Sequence, residues 1–166
     1  MADPIPSTLD EQARDTTGAA LQATLVDLVD LSLVAKQAHW NLVGRQFHDV
    51  HLHLDELVNL ARTYTDEIAE RAAAIGVPPD GRAPTVSSNS GIPSFQEGWV
   101  KDRDVIKQIF ESVDIAARRV RTHIDETAET DLVTQDLMIE LAGKLEEARW
   151  MWQAQNIGYE TDKPAG

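Results

Sequence analysis

The chain has 166 residues, a formal net charge of -13 and no cysteine. This length predicts one domain over 1-166 that can bury a core without a disulfide or a structural metal. The missing cysteine excludes disulfide frameworks, thiol nucleophiles and thiolate metal sites. Residues 1–20 lack the apolar run of a signal peptide, and no run of about 18 apolar residues predicts a membrane span. We therefore expect a soluble, cytoplasmic protein whose acidic surface repels phosphates and attracts cations, although solubility alone would also explain the charge.

Apolar residues at helical spacing predict four long helices along the chain. Before them, residues 1–15 are polar, contain two prolines and are expected to form a flexible N-terminal tail. The first helix can be capped by Thr16 or Thr17, and Gly44 ends it. Residues 159–166 are expected to form a short C-terminal tail, and no segment predicts a strand. The four predicted helices span residues 17–43, 46–75, 101–126 and 131–158.

The connection between the second and third helices, residues 76–98, is too long for a simple turn. Within it, Ser94 and Glu97 have the spacing of a capping box and predict a short helix at about residues 95–100. One long crossover between two helical hairpins is typical of the ferritin-like four-helix bundle, so we expect that all-α fold. A purely structural bundle would have the same periodicity, so the fold alone does not decide the function.

Histidines cluster on the second predicted helix and just before it. Four of the five histidines lie within 15 residues, beside carboxylates, which favours a metal site over isolated structural histidines. His51 and Asp55 are four residues apart, as are Asp66 and Glu70, so each pair shares one helix face. Asp55 and Asp66 are 11 residues apart, about three helical turns, so all four side chains form one polar stripe.

The two halves of this stripe cannot hold the same metal ion within one chain. Their centres lie about 15 residues apart, or about 22 Å of helical rise, whereas metal–ligand bonds measure about 2.0–2.6 Å. A second, antiparallel copy related by a two-fold axis would place each half opposite the other. His39, near the end of the first helix, can reach the same site. The alternative is a solvated charged face, which the apolar neighbours and the histidines argue against.

Two imidazoles and three carboxylates without a thiolate suit Fe(II), Mn(II) or Zn(II). An intrachain di-iron centre of the ferritin type requires Glu-x-x-His motifs. No glutamate in this chain is followed by a histidine three residues later. We therefore do not expect that kind of site.

At these residues the sequence resembles the Dps family of mini-ferritins. The match covers about residues 21–156 and includes Lys36-Gln-Ala-His-Trp-Asn-Leu-Val-Gly44, His51-Leu-His-Leu-Asp55 and Asp66-Glu-Ile-Ala-Glu-Arg71. The resemblance implies a homo-dodecameric shell with ferroxidase sites at two-fold dimer interfaces. It also implies that Fe(II) is oxidised to Fe(III), preferentially by hydrogen peroxide, and stored as ferric mineral, which protects against oxidative damage. The implied ligands are His39, His51 and Asp55 of one chain with Asp66 and Glu70 of its partner.

The resemblance also suggests roles for residues outside the ligand set. Trp40 would shield the centre or intercept radicals, with simple packing as the alternative. Asp136 resembles an acidic pore residue, and Glu126, Glu129 and Asp131 are further pore candidates, although any of these acidic groups could instead cap a helix. Trp150 and Trp152 are expected in the core or an interface. The remaining histidines, His48, His53 and His123, have no predicted ligand role.

Basic tails that bind DNA in many members of the family have no counterpart here. The first 20 residues contain one basic residue, Arg14, against four acidic ones, and Lys163 stands alone in the C-terminal tail. Because nonspecific DNA affinity depends on cations that neutralise phosphates, we expect weak or no DNA binding. The alternatives to an iron-storing ferroxidase are therefore a DNA-compacting protein, which the tails disfavour, and a Zn(II) or Mn(II) buffer without redox turnover.

Overall fold

The structure is a computed structural model that describes residues 5–160, with side-chain surroundings for residues 5–157. The predicted all-α bundle of four long helices with a crossover is confirmed. Most helix ends lie within a few residues of those predicted, except the start of the first helix. The elements in chain order are α1 Glu11–Asn41, β1 Leu42–Val43, α2 Phe47–Ala74, α3 Ala83–Asn89, β2 Val100–Lys101, α4 Asp102–Thr127 and α5 Leu132–Glu160.

Helix α1 packs against α2 and α4, and α4 packs against α5, so two hairpins enclose one core. By length and composition alone α1 could cross a membrane, contrary to the expectation from apolar runs. However, 67% of its most apolar stretch is buried inside the bundle, as in a soluble core helix. The inward residues of α1 recur at helical spacing, as a core-facing stripe requires. They include Leu21, Leu25, Leu28, Leu31 and Ala35.

The predicted N-terminal tail of residues 1–15 is too long, because residues 11–15 already belong to helix α1. Helix α1 begins at Glu11 because the Asp10 carboxylate accepts a hydrogen bond from the Ala13 amide at 2.9 Å, which satisfies a free donor of the first turn. The carbonyl of Ile5 lies so close to Gly76 that a Cβ there would be only 2.6 Å away. Thr17 is buried within the helix and caps nothing. Residues 1–4 lie outside the described part, as do residues 161–166 of the predicted C-terminal tail.

The crossover contains its short helix at α3, not at residues 95–100 as the capping-box spacing predicted. Residues near 100 instead pair as a short parallel sheet, with Leu42 opposite Val100, so the prediction of no strand is also wrong. Buried Asp27 fixes the crossover because its carboxylate accepts hydrogen bonds from the Gly91 amide at 2.7 Å and from Arg119 at 2.5 Å.

The turn between α1 and α2 depends on Gly44 and Asp102. Gly44 has a φ of 142°, a backbone conformation that favours glycine. A Cβ at this position would collide with the Asp102 carboxylate, which also accepts a hydrogen bond from the Gln46 amide at 2.8 Å. The start of α4 therefore sets where α2 begins, and with it the position of the histidines on α2.

Candidate metal centre

Three of the five predicted ligands meet near the turn that joins α1 to α2. His39 lies in the last turn of α1, and His51 and Asp55 lie on successive turns of α2. Ligand atoms from the three side chains lie within 4.8 Å of one another. The short turn at Gly44 folds α2 back against α1 and so brings together residues that are 16 positions apart in the sequence. Two nitrogen ligands and one carboxylate could hold a metal ion here, and this group is called the half-site below.

The two imidazoles are oriented by the main chain of the opposite helix. Nδ1 of His39 lies 3.1 Å from the His51 carbonyl oxygen, and Nδ1 of His51 lies 3.3 Å from the His39 carbonyl oxygen. The rings stack with centroids 3.6 Å apart. A carbonyl oxygen only accepts, so the tautomer with hydrogen on Nδ1 satisfies both contacts. Each Nε2 then keeps its lone pair for a metal, with the outer contact fixing the ring as in many metal sites.

Asp55 is held by a lysine that sequence reasoning did not select. The Lys36 ammonium lies 2.5 Å from Oδ1 of Asp55. This hydrogen bond lowers the pKa of Asp55, and the nearby imidazoles act in the same direction, whereas burial opposes them. The carboxylate is therefore ionised and ready to bind a cation, but it already has a positive partner. The sequence does place Lys36 near the ligands, because it precedes His39 by three residues and therefore shares its helix face.

Exposed apolar side chains lie on the two helices that carry this half-site. Phe47 stacks on His51 with ring centroids 5.1 Å apart and is 44% exposed. Trp40, next to His39 in the sequence, is 64% exposed, and Leu33 is 54% exposed. A lone chain therefore leaves an apolar rim beside polar ligands, which is unusual for a surface meant to face only water.

Asp66 and Glu70 lie farther along α2 and are exposed. Among the described residues, the only group close enough to hold a metal is that of His39, His51 and Asp55. The separation predicted between the two halves of the stripe is thus present in the single chain. Whether Asp66 and Glu70 meet a second copy is not tested by one chain and stays a prediction.

Comparison with known proteins places the chain in a family. The model of the ferritin-like domain matches residues 18–156. The DNA protection during starvation protein of Mycolicibacterium smegmatis is 34% identical over 154 residues, covering 90% of this chain and 81% of the relative. Dps from Microbacterium arborescens, solved in its high iron form, superposes with a TM-score of 0.86 at 30% identity, covering 91% of this chain and 98% of that one. The chain belongs to the Dps family.

Not all relatives of this Dps chain carry names from iron or DNA biology. The fine tangled pili major subunit of Haemophilus ducreyi is 36% identical over 137 residues, covering 81% of this chain and 71% of the relative. DpsA14 from Streptomyces coelicolor superposes with a TM-score of 0.85 at 26% identity over 93% of this chain. The Dps fold and family are therefore shown across the whole bundle, and the predicted resemblance is confirmed.

The acidic residues predicted as Dps pore candidates have different surroundings. Asp131 is buried, forms an ion pair with Arg71 at 2.5 Å and accepts a hydrogen bond from the Thr134 amide at 3.2 Å, so it caps α5. Glu126 lies 2.8 Å from Nδ1 of His123. Asp136 is exposed. A pore role for these residues stays a prediction, although Asp131 already has a structural one.

The remaining aromatic and histidine residues differ in how deeply they are buried. Trp152 is fully buried and stacks on His53 with ring centroids 4.0 Å apart, which matches the expectation of a core residue. Trp150 is 66% exposed, so it is not in the core of the chain, and only the interface interpretation remains. His48 is exposed beside Asp49 and does not join the metal centre.

Proposed function

We propose that this Dps protein is a ferroxidase and iron-storage protein of the cytoplasm. It oxidises Fe(II), preferentially with hydrogen peroxide, and keeps the ferric product inside a dodecameric shell, which protects against oxidative damage. The observation that carries the proposal is the half-site of His39, His51 and Asp55, whose ligand atoms lie within 4.8 Å of one another. Membership of the Dps family and the likeness to a Dps solved in a high iron form support it.

The ligand chemistry suits iron as a substrate that arrives as Fe(II) and leaves as Fe(III). Neutral imidazoles bind Fe(II), and anionic carboxylates stabilise the higher charge of Fe(III). Two Fe(II) ions lose one electron each, and one hydrogen peroxide takes up both electrons and two protons to give two waters. Hydrolysis of the Fe(III) then yields ferric oxyhydroxide and releases three protons per iron. The protein binds and orients the reactants, while the peroxide supplies the oxidising power.

The other half of each site comes from a second copy in this proposal. Two α2 helices that run antiparallel across a two-fold axis would bring Asp66 and Glu70 of the partner subunit opposite His51 and Asp55. Each dimer then has two equal sites. The apolar rim supports this arrangement, because a partner surface would cover side chains that a single chain leaves in water. It includes Trp40, Phe47 and Leu33.

Acidic residues near the α4–α5 turn are the proposed route for Fe(II) into the shell. Asp136 and Glu126 are exposed there and carry negative charge that attracts divalent cations. Asp131 is the weaker candidate, since its carboxylate is committed to Arg71 and to the first turn of α5. Trp40 directly follows the ligand His39 in the sequence. In this proposal it intercepts oxidising radicals that form at the site.

Mixed assemblies test whether the site is shared between chains. One variant carries His51→Ala and Asp55→Ala, and the other carries Asp66→Ala and Glu70→Ala. Neither alone should oxidise Fe(II) with peroxide above the rate of free iron. Co-assembled in equal amounts, half of the dimers are mixed and have one intact site of two, so about one quarter of the sites regain activity. An intrachain site would regain nothing, which would refute the shared site.

Iron loading of the unmodified protein tests the activity itself. Fe(II) is added without oxygen, hydrogen peroxide follows, and the ferric absorbance is measured across a size-exclusion column. Soluble ferric iron far above one ion per chain, eluting with a large assembly, is the expected result. Iron that precipitates or stays ferrous would favour the Zn(II) or Mn(II) buffer.

A second candidate, DNA compaction, is favoured only by what relatives are called, such as the DNA protection during starvation protein of Mycolicibacterium smegmatis. The acidic ends of this chain oppose it, because they repel phosphates. Residues 5–7 also lie near Gly76, and Leu9 packs against the core, so this segment does not extend from the bundle. We therefore expect protection through iron chemistry rather than through DNA coating.

A further inference from the structure

An arginine-lined cleft lies between α4 and α5 and shares no residue with the candidate metal centre. Its volume is about 590 Å³. This is within the range of about 300–1,000 Å³ that is usual for small-molecule sites. The lining residues are Asp114, Ala117, Arg118, Arg121, Glu146 and Arg149.

Each of the three guanidinium groups donates a hydrogen bond from its Nε to one of two carboxylates. Nε of Arg118 donates to Asp114 at 2.8 Å, and Nε of Arg149 donates to the other oxygen of Asp114. Nε of Arg121 donates to Glu146 at 2.5 Å. Within residues 5–157, the side-chain hydrogen bonds of Arg118 and Arg121 use Nε alone. Their terminal amino groups therefore remain available as donors to a ligand.

The cleft is locally positive although the chain is strongly acidic. Three arginines and two carboxylates give a charge of three minus two, or plus one, against -13 for the whole chain. The hydrogen bond from Arg118 lowers the pKa of Asp114, and that from Arg121 lowers the pKa of Glu146. Both carboxylates are therefore ionised near neutral pH and can only accept hydrogen bonds.

We propose that this cleft binds the phosphate group of a small anion, free or on a small ester. The terminal amino groups of Arg118 and Arg121 donate to the phosphate oxygens, a pairing that the planar guanidinium makes well. Arg149 adds charge from the partly buried wall. Hydrogen phosphate also carries an O–H that donates to Asp114 or Glu146, whereas sulfate has no hydrogen at neutral pH. The cleft should therefore prefer phosphate to sulfate.

Calorimetric titration of the iron-free assembled protein with inorganic phosphate at low ionic strength tests the proposal. We expect saturable binding that weakens at least tenfold in the double variant Arg118→Gln, Arg121→Gln. Both side chains are largely exposed, at 72% and 64%, so the fold should tolerate the change. Arg103→Gln, which removes an exposed charge at the start of the same helix, should leave the affinity unchanged. No heat with phosphate, or equal weakening by Arg103→Gln, would overturn the proposal.

Two further titrations identify the source of the phosphate and challenge its specificity. Adenosine monophosphate that binds more tightly than inorganic phosphate assigns the cleft to a phosphate ester, and the reverse order assigns it to the free ion. Sulfate binding as tight as phosphate would refute the role of the two carboxylates. Duplex DNA retained through the same arginines, without binding of the small anions, would overturn the small-ligand assignment.

Discussion

His39 and His51 each place Nδ1 against the main-chain carbonyl of the other residue, at 3.1 and 3.3 Å. The carbonyls belong to two different helices, so the contacts tie the end of α1 to the start of α2. Both rings are thereby oriented by the hairpin itself rather than by a bound ion. A site arranged in this way loses little conformational freedom when it binds its metal, because the ligands are already in place.

Replacing Lys36 by methionine should tighten the binding of Fe(II) at the half-site. The ammonium pairs with Asp55 at 2.5 Å, and an incoming cation must displace it. The lysine and aspartate side chains are 22% and 40% exposed. A pair this accessible to water contributes about 1 kcal/mol or less, so the affinity should rise by up to about fivefold. Anaerobic titration of the assembled protein with Fe(II) measures this change.

The matched control for Lys36→Met is Lys36→Arg. Arginine keeps the positive charge beside Asp55, so binding of Fe(II) should be no tighter than in the unmodified protein. Equal affinities for the methionine and arginine variants would show that the ammonium does not compete with the metal. A loss of Fe(II) binding in Lys36→Met would instead make the lysine a support for the site.

Alanine at Gly44 should destabilise the protein, whereas alanine at Gly143 should stabilise it. Gly44 has a φ of 142°, and its added Cβ would collide with the Asp102 carboxylate. Strain of this kind costs about 1–3 kcal/mol. Gly143 lies inside α5, where a Cβ would meet nothing within 4 Å, so alanine should add about 0.5–1 kcal/mol of stability. Thermal melts of the iron-free protein should therefore shift in opposite directions, and a shift in the same direction would contradict the strain at Gly44.

Asp131 should make the stability of the fold depend on pH in the acidic range. Burial alone would raise the pKa of Asp131, but hydrogen bonds from Thr134 and Arg71 outweigh it and hold the pKa below its usual range. A carboxyl group with a depressed folded pKa stabilises fully above its unfolded pKa, about 3.9, and loses this contribution as pH falls through the folded value. Asp131→Asn should therefore cost about 1–3 kcal/mol at neutral pH and progressively less as pH falls below the unfolded pKa of about 3.9.

Urea unfolding at several pH values measures the free-energy difference between Asp131→Asn and the unmodified protein. Asp125→Asn, which changes an exposed carboxylate near the end of α4, serves as the control and should give little difference at any pH. A difference for Asp131→Asn that stays constant from neutral to acidic pH would exclude the ionised carboxylate as its cause.

The helices could be predicted because their apolar residues repeat along the sequence, and this signal is local. Most errors arise where contacts between distant parts of the chain determine the local structure. The start of α1 is a different case, because Asp10 is a local capping signal but residues 11–15 carry no apolar repeat. Leu132 fits the apolar repeat of α5 but is 69% exposed. The capping-box spacing at Ser94 is overridden by the chain pairing that follows it.

The sequence predicted more of the candidate site than of the groups that surround it. Spacing of four residues places His51 and Asp55 on one face whatever the tertiary structure, and the structure joins His39 to them. The spacing of Lys36 to His39 places the lysine on the face of the ligands, but its pairing with Asp55 depends on the turn at Gly44, which brings the two helices together. The ring orientations also depend on carbonyl groups, which every residue has and which no sequence pattern distinguishes.

Duplex DNA should not bind this protein at physiological salt. Nonspecific binding grows with the number of cations that contact phosphates, and the first 20 residues contain only Arg14 against four acidic side chains. Residues 5–7 and Leu9 also lie against the bundle, so this segment cannot wrap a duplex freely. A gel-shift series at low and moderate salt checks this, with a variant bearing an added lysine-rich N-terminal tail as the positive control. We expect a retarded band that survives moderate salt for the tailed variant alone. The same band for the unmodified protein would mean that the folded surface binds DNA without a tail.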